Sequence, residues 1–238
     1  MPAAWLILPT YNEAENIERI VRAALPSLAS AVDDPHILIV DDGSPDGTGE
    51  IADRLASELA EVEVLHRRAK EGLGRAYLAG FERALAADAD LVLEMDSDFS
   101  HDPADIPRLI AADADLVLGS RYVPGGGVTD WGLFRRLLSR GGSWYARMVL
   151  RVPVRDLTGG FKCFRRATLE GIDYKQMHAD GYGFQIELTY RAIKAGFRVR
   201  EVPIVFRDRQ AGTSKMSPRI ALEAVWKVPA LRARSYTF

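Results

Sequence analysis

Short apolar runs that end in a polar turn and lead into a segment of helical periodicity recur along the first half of the chain. Trp5 to Pro9 is the first such run, followed by Thr10-Tyr11-Asn12-Glu13 and then by Ile17, Ile20, Val21, Ala24 and Leu25, spaced as one helix face. His36 to Val40, the turn Asp41 to Gly47 and a helical stretch from Thr48 to Leu59 repeat the pattern. A third unit starts at Glu63-Val64-Leu65 and passes through Gly72-Leu73-Gly74 into a helix ending near Ala87. Leu91 to Asp96 is the fourth predicted strand, Pro103 to Ala112 its helix, and Asp115 to Gly119 a fifth strand. Strand and helix alternating through short polar turns predict an α/β fold with a doubly wound, mostly parallel sheet and helices on both faces. After Arg121 the regularity fades, until a predicted helix at about Tyr182 to Ala195 and a strand from Val199 to Phe206. No linker or compositional break precedes that change, so one domain is expected.

Composition narrows the class. At 238 residues, 47% hydrophobic and 27% charged, the chain has the profile of an ordinary globular protein. A net charge of -2 and a pI near 6.1 argue against bulk nucleic-acid binding. The single cysteine, Cys163, rules out an internal disulfide framework, fits a reducing compartment, and reads as a small core residue. The first residues carry no basic n-region, so no secretory signal is expected. The uncharged stretch Ala23 to Val32 falls well short of the roughly 20 residues a membrane-spanning helix needs, and no other uncharged stretch reaches that length. Membrane contact, if any, is therefore expected to be peripheral, from the cytosol.

The candidate chemistry sits at the strand ends. Leu91-Val92-Leu93-Glu94-Met95-Asp96-Ser97-Asp98 reads as a buried strand delivering two carboxylates one residue apart. Hard cations such as Mg²⁺ and Mn²⁺ take oxygen ligands and commonly share their coordination with substrate phosphates. Parallel sheets bind ligands at the carboxyl ends of their strands. Thr10 to Glu13 after the first strand and Asp41-Asp42 after the second add polar groups able to accept ribose hydroxyls or base N–H groups. A nucleoside diphosphate ligand accounts for all three sites. The plainer alternatives are that Asp96-Ser97-Asp98 is a polar strand exit and that Asp41 and Asp42 only shape the turn with Gly43. Other motifs fit poorly. Gly72-x-Gly74 lacks the third glycine of a dinucleotide fingerprint, and no GxxxxGK[ST] loop occurs. His101 stands where an EF-hand needs glycine. A phosphotransferase forming an aspartyl-phosphate at Asp96 would favour Thr or Val at the position of Ser100.

Three motifs in order, Pro9-Thr10-Tyr11-Asn12-Glu13, Val40-Asp41-Asp42-Gly43-Ser44 and Asp96-Ser97-Asp98, resemble the nucleotide-sugar glycosyltransferases of family 2. The string Asp42 to Thr48, Gly119-Ser120-Arg121-Tyr122 and Gly212-Thr213-Ser214-Lys215 are similar to the polyprenyl-phosphate mannosyltransferases within that family, of the dolichol-phosphate mannose synthase type. The resemblance runs from Leu8 to about Lys227. It implies a glycosyltransferase A-type fold, GDP-mannose as donor, a polyprenyl monophosphate as acceptor and Mg²⁺ or Mn²⁺ as cofactor. By the same resemblance Pro9, Tyr11, Glu13, Val40 and Asp42 hold the nucleoside, while Asp96, Ser97 and Asp98 serve its ribose, diphosphate and metal. Asp98 and Ser100 are the implied metal ligands, although some relatives carry Gln at the position of Ser100. Arg209 and Lys215 fall where the family sets cations against the diphosphate, and Arg121, Arg135 and Ser139 where it binds the acceptor phosphate. Asp98, Arg121, Arg209 and Lys215 are thus the expected catalytic set. Gly160 stands where some relatives carry an acidic residue proposed as catalytic. The catalytic domain is expected over 1–215, with a nucleotide-sugar half to about 120 and an acceptor half from 121, followed by a helix and tail over 216–238.

A phosphate monoester is already largely ionised near neutral pH, with its second pKa near 6, so such an acceptor can attack without a general base. One in-line displacement then inverts the anomeric centre. From Trp131 to Arg155 six arginines and no acidic residue are interleaved with Trp131, Leu133, Phe134, Leu137, Leu138, Trp144 and Met148. That composition suits the interface of an anionic bilayer. The competing reading is a core-packed helix pair broken at Gly141-Gly142 with a basic solvated face. Membrane residence is expected to come from this segment, from the tail around Trp226, or from a membrane-anchoring protein partner. Transfer from UDP-glucose or another donor, and a catalytically idle nucleotide-binding subunit docked to a membrane partner, stay open on the residues alone. So do a metal or diphosphate contact for His101 against a packing role, and a functional carboxylate at Glu187 against an ion-paired one.

Overall fold

A computed structural model describes residues 2–177, 182–208 and 218–234, leaving the side chains of 182 and 218–225 undescribed. The strands are β1 (Ala3–Thr10), β2 (Asp34–Asp41), β3 (Val62–His66), β4 (Leu91–Glu94), β5 (Leu116–Ser120), β6 (Gly127–Val128), β7 (Lys162–Arg165), β8 (Val199–Pro203) and β9 (Val205–Phe206). The helices are α1 (Ile17–Ala29), α2 (Thr48–Glu58), α3 (Leu73–Ala86), α4 (Ile106–Ala111), α5 (Leu133–Leu150), α6 (Arg166–Gly171), α7 (Tyr182–Lys194) and α8 (Pro218–Ala233).

Seven strands form one sheet in the order β3-β2-β1-β4-β7-β5-β8, and β6 pairs with β9 in a separate two-stranded ribbon. All pairings in the large sheet are parallel except those of β7, which runs antiparallel between β4 and β5. The strands are buried on both faces, so their alternate residues feed two cores. Trp5, Ile7, Leu38, Val40 and Val92 enter one cluster, with residues of α3, α5 and α7. Ala4, Leu6, Leu8, Ile37, Ile39 and Leu93 enter the other, with residues of α1, α2 and α4. This is the two-faced burial that a parallel sheet demands. α3 lies so close to β1 that a Cβ on Gly80 would fall 2.6 Å from Ile7 Cγ2, a contact only glycine relieves.

The predicted β-α units are all present, but the second half differs in three ways. β7 was not expected, and its insertion separates β4 from β5. The strand read as Val199 to Phe206 is two strands in two sheets, because Ile204 turns inward and bonds through its N–H to Ser120 O. The helix pair proposed as one reading of the arginine-rich segment is a single helix. α5 runs unbroken through Gly141 and Gly142, held by a buried stripe of Ser139, Ser143, Ala146 and Leu150 that outweighs the roughly 1 kcal/mol per glycine in helix propensity.

Candidate active site

β1 has β2 on one side and β4 on the other, so the chain reverses its winding between β1 and β4 and leaves a crevice at their carboxyl ends. The three sequence motifs all leave the sheet at this edge. Their turns are bonded to one another: the N–H groups of Asn12, Glu13 and Ala14 donate to Ser44 Oγ, Thr48 Oγ1 and Asp46 Oδ2 at 3.0, 2.9 and 3.1 Å. The Asp42-to-Thr48 string is thus the partner that shapes the Tyr11–Glu13 turn.

The two adjacent aspartates of β2 separate in role. Asp41 accepts from Thr10 Oγ1 at 3.1 Å and from Ser44 N–H and Oγ at 3.1 and 2.6 Å, so its carboxylate closes the turn. Asp42 is buried and pairs with the Arg67 guanidinium. Burial raises the Asp42 pKa in spite of that charge. Beside it the Lys70 ammonium lies 4.0 Å above the Tyr11 ring. Asp41 is thus committed to the turn, whereas Asp42 is held by Arg67 and Tyr11 lies under the Lys70 ammonium at the same edge. Pro9 and Val40 are register partners on β1 and β2, and Glu13 accepts from Asn16 Nδ2 at 2.9 Å.

β4 ends at Glu94, two residues earlier than the pattern predicts, and the chain continues as an irregular Met95–Asp98 strip whose Met95 N–H donates to Ile7 O at 3.3 Å. Ser97 donates to Pro9 O at 3.0 Å, which ties the strip to β1. Asp98 is only 3% exposed and accepts the Ser100 N–H at 3.0 Å, a turn that sets Phe99 at φ +60°. Asp96 is the more open of the pair, with 30% of its side chain exposed. Among the described residues no three His, Cys, Asp or Glu side chains gather. A hard cation on the Asp98 carboxylate and Ser100 hydroxyl would accordingly draw its remaining ligands from substrate oxygens and water, the usual arrangement for Mg²⁺.

His101 is buried between the rings of Phe161 and Phe206, with centroids at 5.1 and 5.2 Å, and the Asp96 N–H donates to its Nδ1 at 3.4 Å. Burial pushes its pKa down to about 4, so the ring is neutral at physiological pH. The unfolded chain takes up this proton below about pH 6.5 and the folded one does not, so stability falls as pH drops from about 6.5 toward 4. Thermal melting at pH 7.5 and pH 5 should show that loss, and His101→Asn should shrink the difference. An unchanged difference in the variant assigns the acid sensitivity to other groups.

The expected acceptor groups lie together near Phe206, whose ring contacts His101, Arg121 and Trp131, and they are already engaged. Arg121 is buried and forked onto Asp156, with Nε and Nη2 each 2.7 Å from a carboxylate oxygen, and Nη2 also donates to Thr158 Oγ1. Arg135 donates to both oxygens of Asp208 at 2.9 Å and stacks 4.2 Å above Trp131. Ser139, one turn further along α5, shares a 2.7 Å hydrogen bond with the Tyr122 hydroxyl. Arg121 also faces the Tyr122 and Trp131 rings, which joins the three residues into one aromatic-lined group. Arg207 N–H donates to Ser100 O at 3.0 Å, bringing the end of β9 against the Asp98–Ser100 turn. Arg209, Lys215 and the Gly212-to-Lys215 motif lie outside the described residues. Glu187 is fully buried and ion-paired, 3.0 Å from Arg191. Cys163 is a buried β7 residue whose thiol pKa burial pushes up to about 12.

Glu94, Lys162, Gln185 and Tyr77, beneath the Asp96 strip, were not singled out by the sequence. Burial pushes Glu94 up to about 7 and Lys162 down to about 8, each against the pull of the other. The one available signal was a charged residue at an inward position of an otherwise apolar strand.

The known proteins most informative here fit this geometry. The chain is 48% identical over 227 residues to polyprenol monophosphomannose synthase of Mycolicibacterium smegmatis, covering 94% of this chain and 84% of that one. It is 46% identical over 224 residues to undecaprenyl-phosphate mannosyltransferase of Micrococcus luteus, covering 93% and 90%. Its fold is similar to that of glucosyl-3-phosphoglycerate synthase from Mycobacterium tuberculosis, solved with Mn²⁺, UDP and phosphoglyceric acid. That match has a TM-score of 0.70 at 20% identity and covers 99% of this chain and 80% of that one. The profile of Glycosyl transferase family 2 matches residues 5–172, and the chain belongs to that family.

Proposed function

We propose that the protein transfers mannose from GDP-mannose to a polyprenyl monophosphate, with inversion, giving polyprenyl-phosphate mannose and GDP. The observation that carries the reading is the gathering of Asp42, Tyr11 and the Asp96–Asp98 strip at one switch point of the sheet, with the Arg121, Arg135, Ser139 group linked to the strip's turn through Phe206, whose ring faces both His101 and Arg121. The relatives in M. smegmatis and M. luteus, named for mannosyl transfer and for polyprenyl acceptors, support the choice of sugar and lipid.

In this reading Asp42 and Tyr11 hold the nucleoside, Asp96 and Ser97 position the ribose and sugar, and Asp98 with Ser100 would hold Mg²⁺ or Mn²⁺. The cation would supply neutralisation of the charge that grows on the departing diphosphate. Arg209 and Lys215 are assigned to the same diphosphate, and Arg135 and Ser139 to the acceptor phosphate. Arg121, forked onto Asp156, acts by fixing the Tyr122 and Trp131 rings around that phosphate. The acceptor oxygen is already anionic. The protein's task is therefore alignment and electrostatic support of the leaving group.

The lipid enters along α5. Leu133, Phe134, Leu137, Trp144 and Met148 are each more than half exposed, with Arg136 and Arg140 among them, and Trp226 stands 76% exposed on α8, which packs against α5. An apolar surface studded with arginine is suited to lie on an anionic leaflet. Among the described residues no helix is long and apolar enough to span one. The reading assigns the protein to peripheral attachment at the cytosolic face, with or without a membrane-anchoring protein.

The test is transfer of radiolabelled mannose from GDP-mannose, with Mg²⁺ or Mn²⁺, to polyprenyl phosphate in anionic vesicles. A chloroform-extractable, mild-acid-labile product is expected from GDP-mannose and not from UDP-glucose. Preference for a UDP-sugar overturns the donor, and a phosphate trapped on Asp96 overturns the reaction class.

A further inference from the structure

Gln185, in the first turns of α7, is 3% exposed, and among the described residues its amide nitrogen makes no hydrogen bond of normal geometry. Its orientation is fixed from the opposite side. Lys162 Nζ, fully buried on β7, donates to Gln185 O at 3.1 Å and to Gln185 Oε1. An ammonium is a donor only, so the carboxamide oxygen must be the atom that faces Lys162. Glu94, the β-register partner of Lys162, balances the charge at 3.8 Å. Burial raises the Glu94 pKa, with the Lys162 charge and the nearby Gln185 amide only tempering that rise, and the amide nitrogen, with two hydrogens, keeps one for another acceptor.

Gly160 shows where that acceptor would lie. A Cβ built there would sit 3.7 Å from Gln185 Nε2 and 3.6 and 3.8 Å from the two oxygens of Asp96. Glycine thus leaves a gap in the crevice floor with a carboxylate on one side and an amide donor on the other. A buried polar group without a partner is destabilising, so the arrangement is one that a ligand completes. A phosphate oxygen would meet the amide but be repelled by Asp96. A hydroxyl both donates and accepts, and matches the pair.

We propose that Gln185 is a specificity-determining residue that donates to a hydroxyl of the transferred sugar while Asp96 accepts from the same or the neighbouring hydroxyl. Lys162 is the positioning residue that keeps the amide turned toward the sugar. The proposal rests on the reading of the crevice as a sugar-nucleotide site, and deepens it.

The experiment compares equilibrium binding of GDP-mannose and of GDP, both with Mn²⁺, to the full chain and its variants. Gln185→Glu keeps the length and the oxygen that Lys162 needs but removes the donor. It should weaken GDP-mannose about tenfold, the value of one such hydrogen bond, and leave GDP unchanged. Gln185→Met, uncharged and of similar volume, should do the same, which covers failure of the first variant to fold. Lys162→Met should give the same sugar-selective loss by freeing the amide. A loss shared equally by GDP, or no loss with either Gln185 variant, overturns the assignment. A lower melting temperature in Lys162→Met without selective loss restricts that residue to folding. If the wild type binds UDP-glucose in place of GDP-mannose, the donor assignment fails, and the comparison of UDP-glucose with UDP tests Gln185 on its own.

Discussion

Asp98→Ala should lower kcat/KM for mannosyl transfer by about a thousandfold or more, while the protein stays folded. A thousandfold loss corresponds to about 4 kcal/mol of transition-state stabilisation, the range seen when a group supporting developing negative charge is removed. Asp98 merits that figure because it is the buried carboxylate of the strip, 3% exposed, at the carboxyl end of the strand beside the switch point. Its local contacts include an acceptor bond from the Ser100 N–H at 3.0 Å. Losing such a bond costs about 1 kcal/mol. Asp98→Asn separates the two contributions, since the amide oxygen still accepts from Ser100 and only the charge is gone. Its melting temperature should match the wild type within a few degrees, and its transfer rate should stay at least a hundredfold down at any Mg²⁺ or Mn²⁺ concentration. An Asn variant within tenfold of the wild type would remove Asp98 from the metal role.

The strand-end half of this site was legible because it is local. An apolar run followed by Thr10 to Glu13, Asp41-Asp42 or Asp96 to Asp98 carries its own position in the fold, and a parallel sheet gathers such ends on one edge. What the residues alone left open was the division of labour between neighbours. Asp41 and Asp42 look equivalent in sequence, and only the hydrogen bonds from Thr10 and Ser44 commit Asp41 to the turn. Groups joined by long-range pairing were not legible. Lys162 and Gln185 meet Glu94 only because β7 enters the sheet antiparallel, and a four-residue strand amid irregular chain carries too little periodicity to announce that. The same limit hid the continuity of α5, where two adjacent glycines are a breaker signal that the buried stripe overrides. Arg121 shows the limit most sharply, since the residue expected at the acceptor phosphate carries a partner 35 positions away.

Asp156→Ala should be the most destabilising single change among the site's supporting residues, at about 4 kcal/mol. Asp156 is 1% exposed and Arg121 6%, and their fork is completed by the Arg121 N–H donating to the same carboxylate at 3.0 Å. Burial by itself would raise the Asp156 pKa. The Arg121 charge and its hydrogen bonds outweigh that and hold the carboxyl below its usual range. Removing the carboxylate strands a guanidinium in the interior, the case in which breaking a buried pair costs about 3–5 kcal/mol. In a chain of this size that lowers the melting temperature by roughly 8–16 °C. The damage should also spread, because Arg121 fixes Thr158 through Nη2 and the Asp156 N–H is itself held by Glu201 Oε1 at 2.9 Å. The sign of the pH dependence follows from the depressed pKa: the pair's contribution is complete above the ordinary Asp value of about 3.9 and is lost as pH falls through the lower folded value. Chemical denaturation at pH 7 measures the loss, and the double variant Asp156→Leu with Arg121→Met checks its origin. Replacing both charges by apolar groups should recover most of the stability, since no ion is then left unpaired. A single variant that loses less than about 1 kcal/mol would mean that Arg121 reaches solvent and is available to an acceptor phosphate; a loss near 4 fixes it as the strut behind Tyr122 and Trp131, with Arg135 and Ser139 left to meet the phosphate.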